Sequence, residues 1–208
     1  LAMSVAALAE AAPGRFVMGI GTSSNVIVEH WNDIPFERPY YKTRDMVRFL
    51  RAALSGEKVT EEYDTFKVNG FRLARPPLEK QPPILVGALR KGMLRMAGKE
   101  GDGAILNWLG AEDVKIVVPY VHEGGPDKEI AARIFVIPSE DKELVRTIGK
   151  RAIAACLNVP VYAAFHEWLG REELLRGMWD AWASGDRKKA LEEIPDEVLD
   201  DIIINGSP

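Results

Sequence analysis

Pro83-Ile84-Leu85-Val86-Gly87-Ala88-Leu89-Arg90-Lys91-Gly92-Met93-Leu94-Arg95-Met96-Ala97-Gly98-Lys99-Glu100-Gly101-Asp102-Gly103-Ala104-Ile105-Leu106-Asn107 is the stretch whose reading decides the fold. Ile84 to Val86 is a short unbroken apolar run closed by glycine, the pattern of a strand buried on both faces. A helix follows over Lys91–Lys99, and a second run of the same kind spans Asp102–Asn107. Parallel strands need a crossover, so strand, helix and strand in this order call for a parallel sheet. The same grammar extends both ways. Arg15 to Gly21 reads as an earlier strand and Ile130 to Pro138 as a fourth, with a helix from Glu112 to His122 before it.

Further helices are expected over Ala2–Ala12, which Pro13-Gly14 ends, and around Met46, Phe49, Leu50, Ala53 and Leu54, closed by Ser55-Gly56. From Tyr63 to Leu73 the period becomes two, and Asn69-Gly70 marks the turn of a hairpin. A stiff connector runs from Arg75-Pro76-Pro77 to Pro83. Beyond Pro138 the chain reads as helical: Lys142–Leu157, Val161–Trp168, Arg171–Ala183, and a last helix from Pro195. A doubly wound sheet and a barrel both satisfy four strand–helix units. A full eight-unit barrel takes ~250 residues, so about half of one is expected here.

The composition sets limits. Of 208 residues, 47% are hydrophobic and 28% charged, which excludes disorder as the main state. The net charge of −4 gives no footprint for a nucleic-acid partner. No apolar run reaches the ~18 residues of a membrane span, and one cysteine, Cys156, rules out an internal disulfide. A cytoplasmic location is expected. The first residue is not Met and Ala2–Ala9 read as the middle of a helix, so the sequence is expected to be cut from a longer one.

In parallel α/β folds ligands gather at the carboxyl ends of strands, which singles out three places. Gly19-Ile20-Gly21-Thr22-Ser23-Ser24-Asn25 offers close backbone approach and hydroxyls, against the plainer reading of a polar loop. Gly87-Ala88-Leu89-Arg90-Lys91-Gly92 turns a strand into a helix whose free amides, beside Arg90 and Lys91, form an anion cradle. A solvated basic pair is the alternative. Asn107 and Trp108 emerge past the third strand, where the indole lines a pocket or packs in the core. His30, in the loop after the first strand, is a pocket candidate competing with a surface role. Trp168, Trp179 and Trp182 give an apolar helical surface read first as core and second as a subunit interface. No acid–base constellation, P-loop or metal-ligand spacing stands out, so no catalytic residue is assigned and no metal is expected.

The three places occur in a familiar order. Gly14-Arg15-Phe16-Val17-Met18-Gly19-Ile20-Gly21 resembles a strand of the luciferase-like monooxygenase family. Pro83-Ile84-Leu85-Val86-Gly87-Ala88 and Ala97-Gly98-Lys99-Glu100-Gly101-Asp102-Gly103 are similar to that family's next two signatures, as is the connector ending Gly70-Phe71-Arg72-Leu73-Ala74-Arg75-Pro76-Pro77. The resemblance covers about Ala6 to Asp113. It implies a TIM (β/α)8 barrel, present over 1–208 as a single partial domain with about four of eight strands, further strands being expected before Leu1 and after Pro208.

Ser23 to Glu29 with His30-Trp31-Asn32 is most similar to the branch using the deazaflavin coenzyme F-420. The resemblance therefore implies hydride transfer between that coenzyme and a small organic substrate. Cofactor contact is carried over onto Thr22, Ser23 and Ser24 along the ring, and onto Gly87, Ala88, Leu89, Arg90, Lys91 and Gly92 at the phosphate. Asn107 is counted with them, and Trp108 and His30 with the substrate pocket. An FMN-dependent monooxygenase of the same family and a cofactor-free, dimer-forming subunit are the alternatives. A homodimer is expected in any case.

Overall fold

The computed structural model describes residues 1–74 and 78–207. The connector expected from Arg75 thus lies partly outside the described residues. The element order is α1 (Ala2–Ala11), β1 (Met18–Ile20), a π-helical turn (Val26–Trp31), α2 (Pro39–Leu54), β2 (Val59–Glu62) and β3 (Lys67–Phe71). It continues through β4 (Ile84–Gly87), α3 (Lys91–Glu100), β5 (Gly103–Asn107), α4 (Ala111–His122), β6 (Glu129–Arg133) and β7 (Phe135–Ile137). Then come α5 (Lys142–Leu157), α6 (Pro160–Trp168), α7 (Glu172–Ala183), α8 (Arg187–Glu192), α9 (Asp196–Ile202) and β8 (Ile203–Asn205). Internal packing divides the chain into two units. One comprises Leu1–Ala88, Gly92–Ile105 and Tyr120–Ala131, the other Leu89–Lys91, Leu106–Pro119 and Ala132–Pro208.

The first unit is built on a sheet of order β1-β4-β5-β6. β4 pairs in parallel with β1 on one side and β5 on the other. Its Ile84, Leu85 and Val86 are buried, as a strand covered on both faces requires. The Asp-Gly pair that opens β5 is a clamp. Asp102 Oδ2 accepts from the Ile84 amide at 2.7 Å while the Asp102 amide donates to Ile84 O at 2.8 Å. Arg51 of α2 also donates to the Asp102 carboxylate. The two neighbouring glycines answer to packing: a Cβ at Gly98 would sit 2.0 Å from Val121 O, and one at Gly103 would sit 2.0 Å from Glu129 O. The signature quoted above for residues 97–103 is therefore a set of close backbone approaches.

α2 buries Val47, Leu50, Ala53 and Leu54 on one side, the spacing of an amphipathic helix. Its Phe49 meets Tyr63, Phe66 and Phe71 of the hairpin edge-on. The hairpin corrects the sequence reading. Asn69-Gly70 lies inside β3, and the chain reverses at Tyr63–Phe66, where the Tyr63 amide donates to Phe66 O at 2.9 Å. Gly70, at φ +72, supplies an irregularity in the pairing with β2 rather than a turn.

The second unit is mostly helical. Ile153, Leu157, Leu175, Met178 and Leu199 are fully buried in its core, each worth roughly 1.5–3 kcal/mol of apolar burial. Asp141 caps α5 by accepting from the Glu143 and Leu144 amides. Trp179 and Trp182 pack against this core, the first of the two roles read for them. The expected fourth strand is two: the run breaks at Ile134, and Phe135–Ile137 pair in parallel with Ile203–Asn205. That last strand was not anticipated, because Val198 to Ile204 carries no turn residue to separate helix from strand.

Candidate functional site

Within the first unit, β1 and β4 run side by side in register, Ile20 opposite Val86, so both deliver a glycine at the same level past their carboxyl ends. A Cβ at Gly21 would lie 3.9 Å from the Gly87 Cα. One at Gly87 would lie 3.7 Å from the Gly21 Cα and from Ile20 O. The result is a patch of bare backbone at the carboxyl edge of the sheet. A methyl at either position would make ordinary van der Waals contact with the protein and no clash. Gly19, one step earlier, is different: its Cβ would touch Ile105 Cδ1 at 3.0 Å, so it serves the sheet.

The bend after Gly21 is held in an unusual shape. Ser23 has φ +59, a left-handed conformation that a non-glycine residue adopts at a penalty of roughly 1–3 kcal/mol. Thr22 Oγ1 donates to Ser23 O at 3.2 Å, and Ser24 Oγ accepts from the Ile27 amide at 3.5 Å, starting the π-helical turn. His30 is exposed on that turn. Asn32 and Glu29 stitch it down, the first donating to Ile27 O at 2.6 Å, the second accepting from the Phe36 amide at 3.2 Å.

After Gly87 the ladder runs one residue further, the Ala88 amide donating to Ile105 O at 3.1 Å. The chain then enters α3, where Lys91 and Gly92 begin the helix and a Cβ at Gly92 would meet nothing within 4 Å. The first-turn amides of α3 have no partner inside the helix, which makes that end receptive to an anion. Arg90 is exposed. In the second unit, to which residues 89–91 belong, Lys91 Nζ stands 5.7 Å from the Trp168 ring centroid.

Asn107 and Trp108 also belong to the second unit. Asn107 Nδ2 donates to Tyr162 OH at 3.0 Å, and Asn107 Oδ1 is buried without a partner. Trp108 does not form an open wall. It is 2% exposed, stacked on Phe135 with centroids 3.8 Å apart, and held at φ +56. The core role weighed for it is the one the structure shows. The loop beyond is pinned by Arg171, which donates to both carboxylate oxygens of Asp113, at 3.1 and 2.8 Å, and to Asp201. Asp113 in turn accepts from the Gly110 amide at 2.7 Å. Sequence reading missed this cluster, and no local pattern announces an ion pair between residues 58 positions apart.

His166 is fully buried beside Phe165, and neither ring nitrogen has a hydrogen bond of ordinary geometry. Burial, reinforced by the Arg171 cation, pushes its pKa down to about 4, against the opposing pull of the Trp108 backbone and Asp201.

A cavity of about 260 Å³ opens in the first unit beside the Gly21 bend. Ile20, Gly21 and Thr22 form one side, Val28 and residues 34–37 another, and one face of α2 the third, with Leu1 also on the lining. That face consists of Pro39, Lys42, Thr43 and Met46, at helical spacing. Sequence reading placed the start of this helix at Met46 and so overlooked the face. Pro39 at the first helical position was the available signal.

A family model described as luciferase-like monooxygenase matches residues 1–208. The chain is 24% identical over 218 residues to 5,10-methylenetetrahydromethanopterin reductase of Archaeoglobus fulgidus, covering 100% of this chain and 65% of the relative. It is 32% identical over 108 residues to a coenzyme F-420-dependent glucose-6-phosphate dehydrogenase of Kineococcus radiotolerans, covering 50% of this chain and 32% of that one. Among solved structures, the coenzyme F-420-dependent tetrahydromethanopterin reductase of Methanopyrus kandleri superposes with a TM-score of 0.74 at 18% identity, over 100% of this chain and 72% of that one. An oxygenating constituent of a Baeyer–Villiger monooxygenase from Pseudomonas putida, in complex with FMN, gives 0.55 at 15% identity, over 100% and 68%. The chain thus spans less than two thirds of the length of the curated relatives named here. Its fold is that of these TIM-barrel enzymes, with the barrel not closed by the described strands.

Proposed function

The chain belongs to the luciferase-like monooxygenase family, and from that premise we propose that the protein is an oxidoreductase that uses the deazaflavin coenzyme F-420 to transfer a hydride to or from a small organic substrate. The observation that carries this reading is the bare backbone patch of Gly21 and Gly87 at the carboxyl ends of adjacent parallel strands. A flat ring needs close approach to backbone there, and a side chain at either glycine would occupy its place. The greater likeness to enzymes named for coenzyme F-420 than to the FMN-bound monooxygenase favours the deazaflavin.

When bound, the coenzyme supplies the hydride; the protein's part is to bind, orient and exclude water. Thr22, Ser23 and Ser24 would border the ring, with the left-handed Ser23 setting the direction of the bend. Gly87, Ala88, Leu89, Arg90, Lys91 and Gly92 would meet the phosphate, using the free amides of the first turn of α3 and the two cations. Asn107 is proposed as a further contact through its unpartnered Oδ1. Trp108 enters as a packed neighbour of Asn107 in the chain, and His30, expected at the substrate pocket, is exposed on its turn and is not among the residues lining the cavity beside Gly21.

The test is a titration of coenzyme F-420 and, separately, FMN against the protein, followed by cofactor fluorescence. Saturable binding of coenzyme F-420 at tens of micromolar or tighter, weakened at least tenfold by Gly87→Val without loss of thermal stability, is the expected result. Absence of saturation with either cofactor overturns the proposal. Tighter FMN binding with oxygen consumption on turnover replaces the deazaflavin with the flavin. Unchanged binding after Arg90→Ala with Lys91→Ala removes those two residues from the phosphate site.

A further inference from the structure

We infer that the cavity beside the Gly21 bend is the substrate compartment and that it selects a largely apolar molecule carrying one carboxylate, which the start of α2 holds through Thr43 and Lys42. This rests on the functional reading above for the word substrate, but its evidence is separate. α2 is 16 residues long, has no acidic residue in its first turn and no side-chain cap, since Arg38 in the capping position has no acceptor to offer the helix amides and donates to Asp64 O. Of the α2 residues on the cavity lining, Pro39 has no N–H and the Lys42 amide donates to Arg38 O at 2.9 Å, so what this end of the helix offers a ligand is the side chains of Lys42 and Thr43.

Thr43 is the second, independent sign. It is 5% exposed, it lines the cavity, and among the described residues its hydroxyl has no hydrogen-bond partner. A hydroxyl that no protein group answers, on a side chain that borders the cavity, leaves a ligand acceptor a bond to form there. Lys42 is exposed, one residue earlier on the same wall, and forms no ion pair among the described residues.

The remaining walls fix the rest of the molecule. Ile20, Val28, Ile34, Phe36 and Met46 give an apolar lining. The cavity of about 260 Å³, which Leu1 also lines, has room for a small molecule. One ammonium matches one carboxylate; a dianionic phosphate would keep a charge unmatched. Glu37, exposed on the cavity lining, opposes an anion. That opposition supplies a variant with the reverse sign.

Calorimetric titration with octanoate and with octanamide, its uncharged counterpart, tests the inference on the whole protein. Octanoate is expected to bind at least tenfold more tightly than octanamide. Lys42→Gln should weaken octanoate about tenfold and leave octanamide unchanged, since a charge-assisted bond is lost. Thr43→Val should weaken octanoate about threefold, with Thr43→Ser restoring it. Glu37→Gln should tighten octanoate. Equal affinity for the two probes, no effect of Lys42→Gln, or no octanoate binding up to 10 mM (about 2.7 kcal/mol of binding free energy) overturns the inference. A parallel coenzyme F-420 titration separates the two readings. Coenzyme binding without octanoate binding refutes this subsite alone, and octanoate binding without coenzyme binding refutes the functional reading alone.

Discussion

Replacing His166 with leucine should make the protein less sensitive to acid, and the size of the effect follows from its surroundings. His166 is completely buried on α6, faces the Arg171 cation, and lacks hydrogen-bond partners of ordinary geometry for both ring nitrogens. Its pKa falls from 6.5 to about 4 on folding. Between those values the unfolded chain holds a proton that the folded chain does not, so stability rises with pH across this window and is fully present only above 6.5. The difference of about 2.5 pKa units corresponds to roughly 3 kcal/mol lost on going from pH 7.5 to below pH 4, of which about 2 kcal/mol is gone by pH 5.

Leucine has a similar volume, no proton to take up and no polar atom to orphan. At pH 7.5 the variant should lie within about 1 kcal/mol of the parent, because no bond is broken. At pH 5 it should be the more stable by about 2 kcal/mol. The measurement is urea unfolding followed by tryptophan fluorescence at pH 7.5, 6.5, 5.5 and 5.0. Carboxylates such as Asp45, held below the usual range by hydrogen bonds from Arg44 and Thr65 that outweigh its burial, lose their contribution only at lower pH and leave this window clear. Equal slopes for parent and variant between pH 6.5 and 5 would refute the assignment of the acid sensitivity to His166.

Two other substitutions probe the frame around the site. Gly98→Ala drives a methyl to within 2.0 Å of Val121 O and should destabilise by about 3 kcal/mol or prevent folding, read as the urea midpoint; a change under 0.5 kcal/mol would contradict the packing. Arg171→Met strands the buried Asp113 carboxylate and should lose about 3–5 kcal/mol, whereas Asp113→Asn combined with Arg171→Met should recover part of it in a double-mutant cycle.

The sequence by itself determined the parallel α/β grammar. Ile84–Val86 and Ala104–Leu106 are unbroken apolar runs, and only strands covered on both faces tolerate them beside helices of alternating burial. It also located the two glycine-bearing ends, Gly21 and Gly87, because both follow directly on those runs. It misread Asn69-Gly70, since a dipeptide with left-handed glycine serves a bulge as well as a turn, and pairing partners decide which. The position of Ile203–Asn205 as a strand depended on Phe135–Ile137 being there to pair with it. Tertiary structure alone revealed that Gly21 and Gly87 share one level of the sheet, that Trp108 stacks on Phe135, and that Thr43 is left with an unanswered hydroxyl beside a cavity. Local sequence records which residues prefer which backbone; register, stacking and an unmet hydrogen bond are relations between distant residues, and they exist only once the chain has closed on itself.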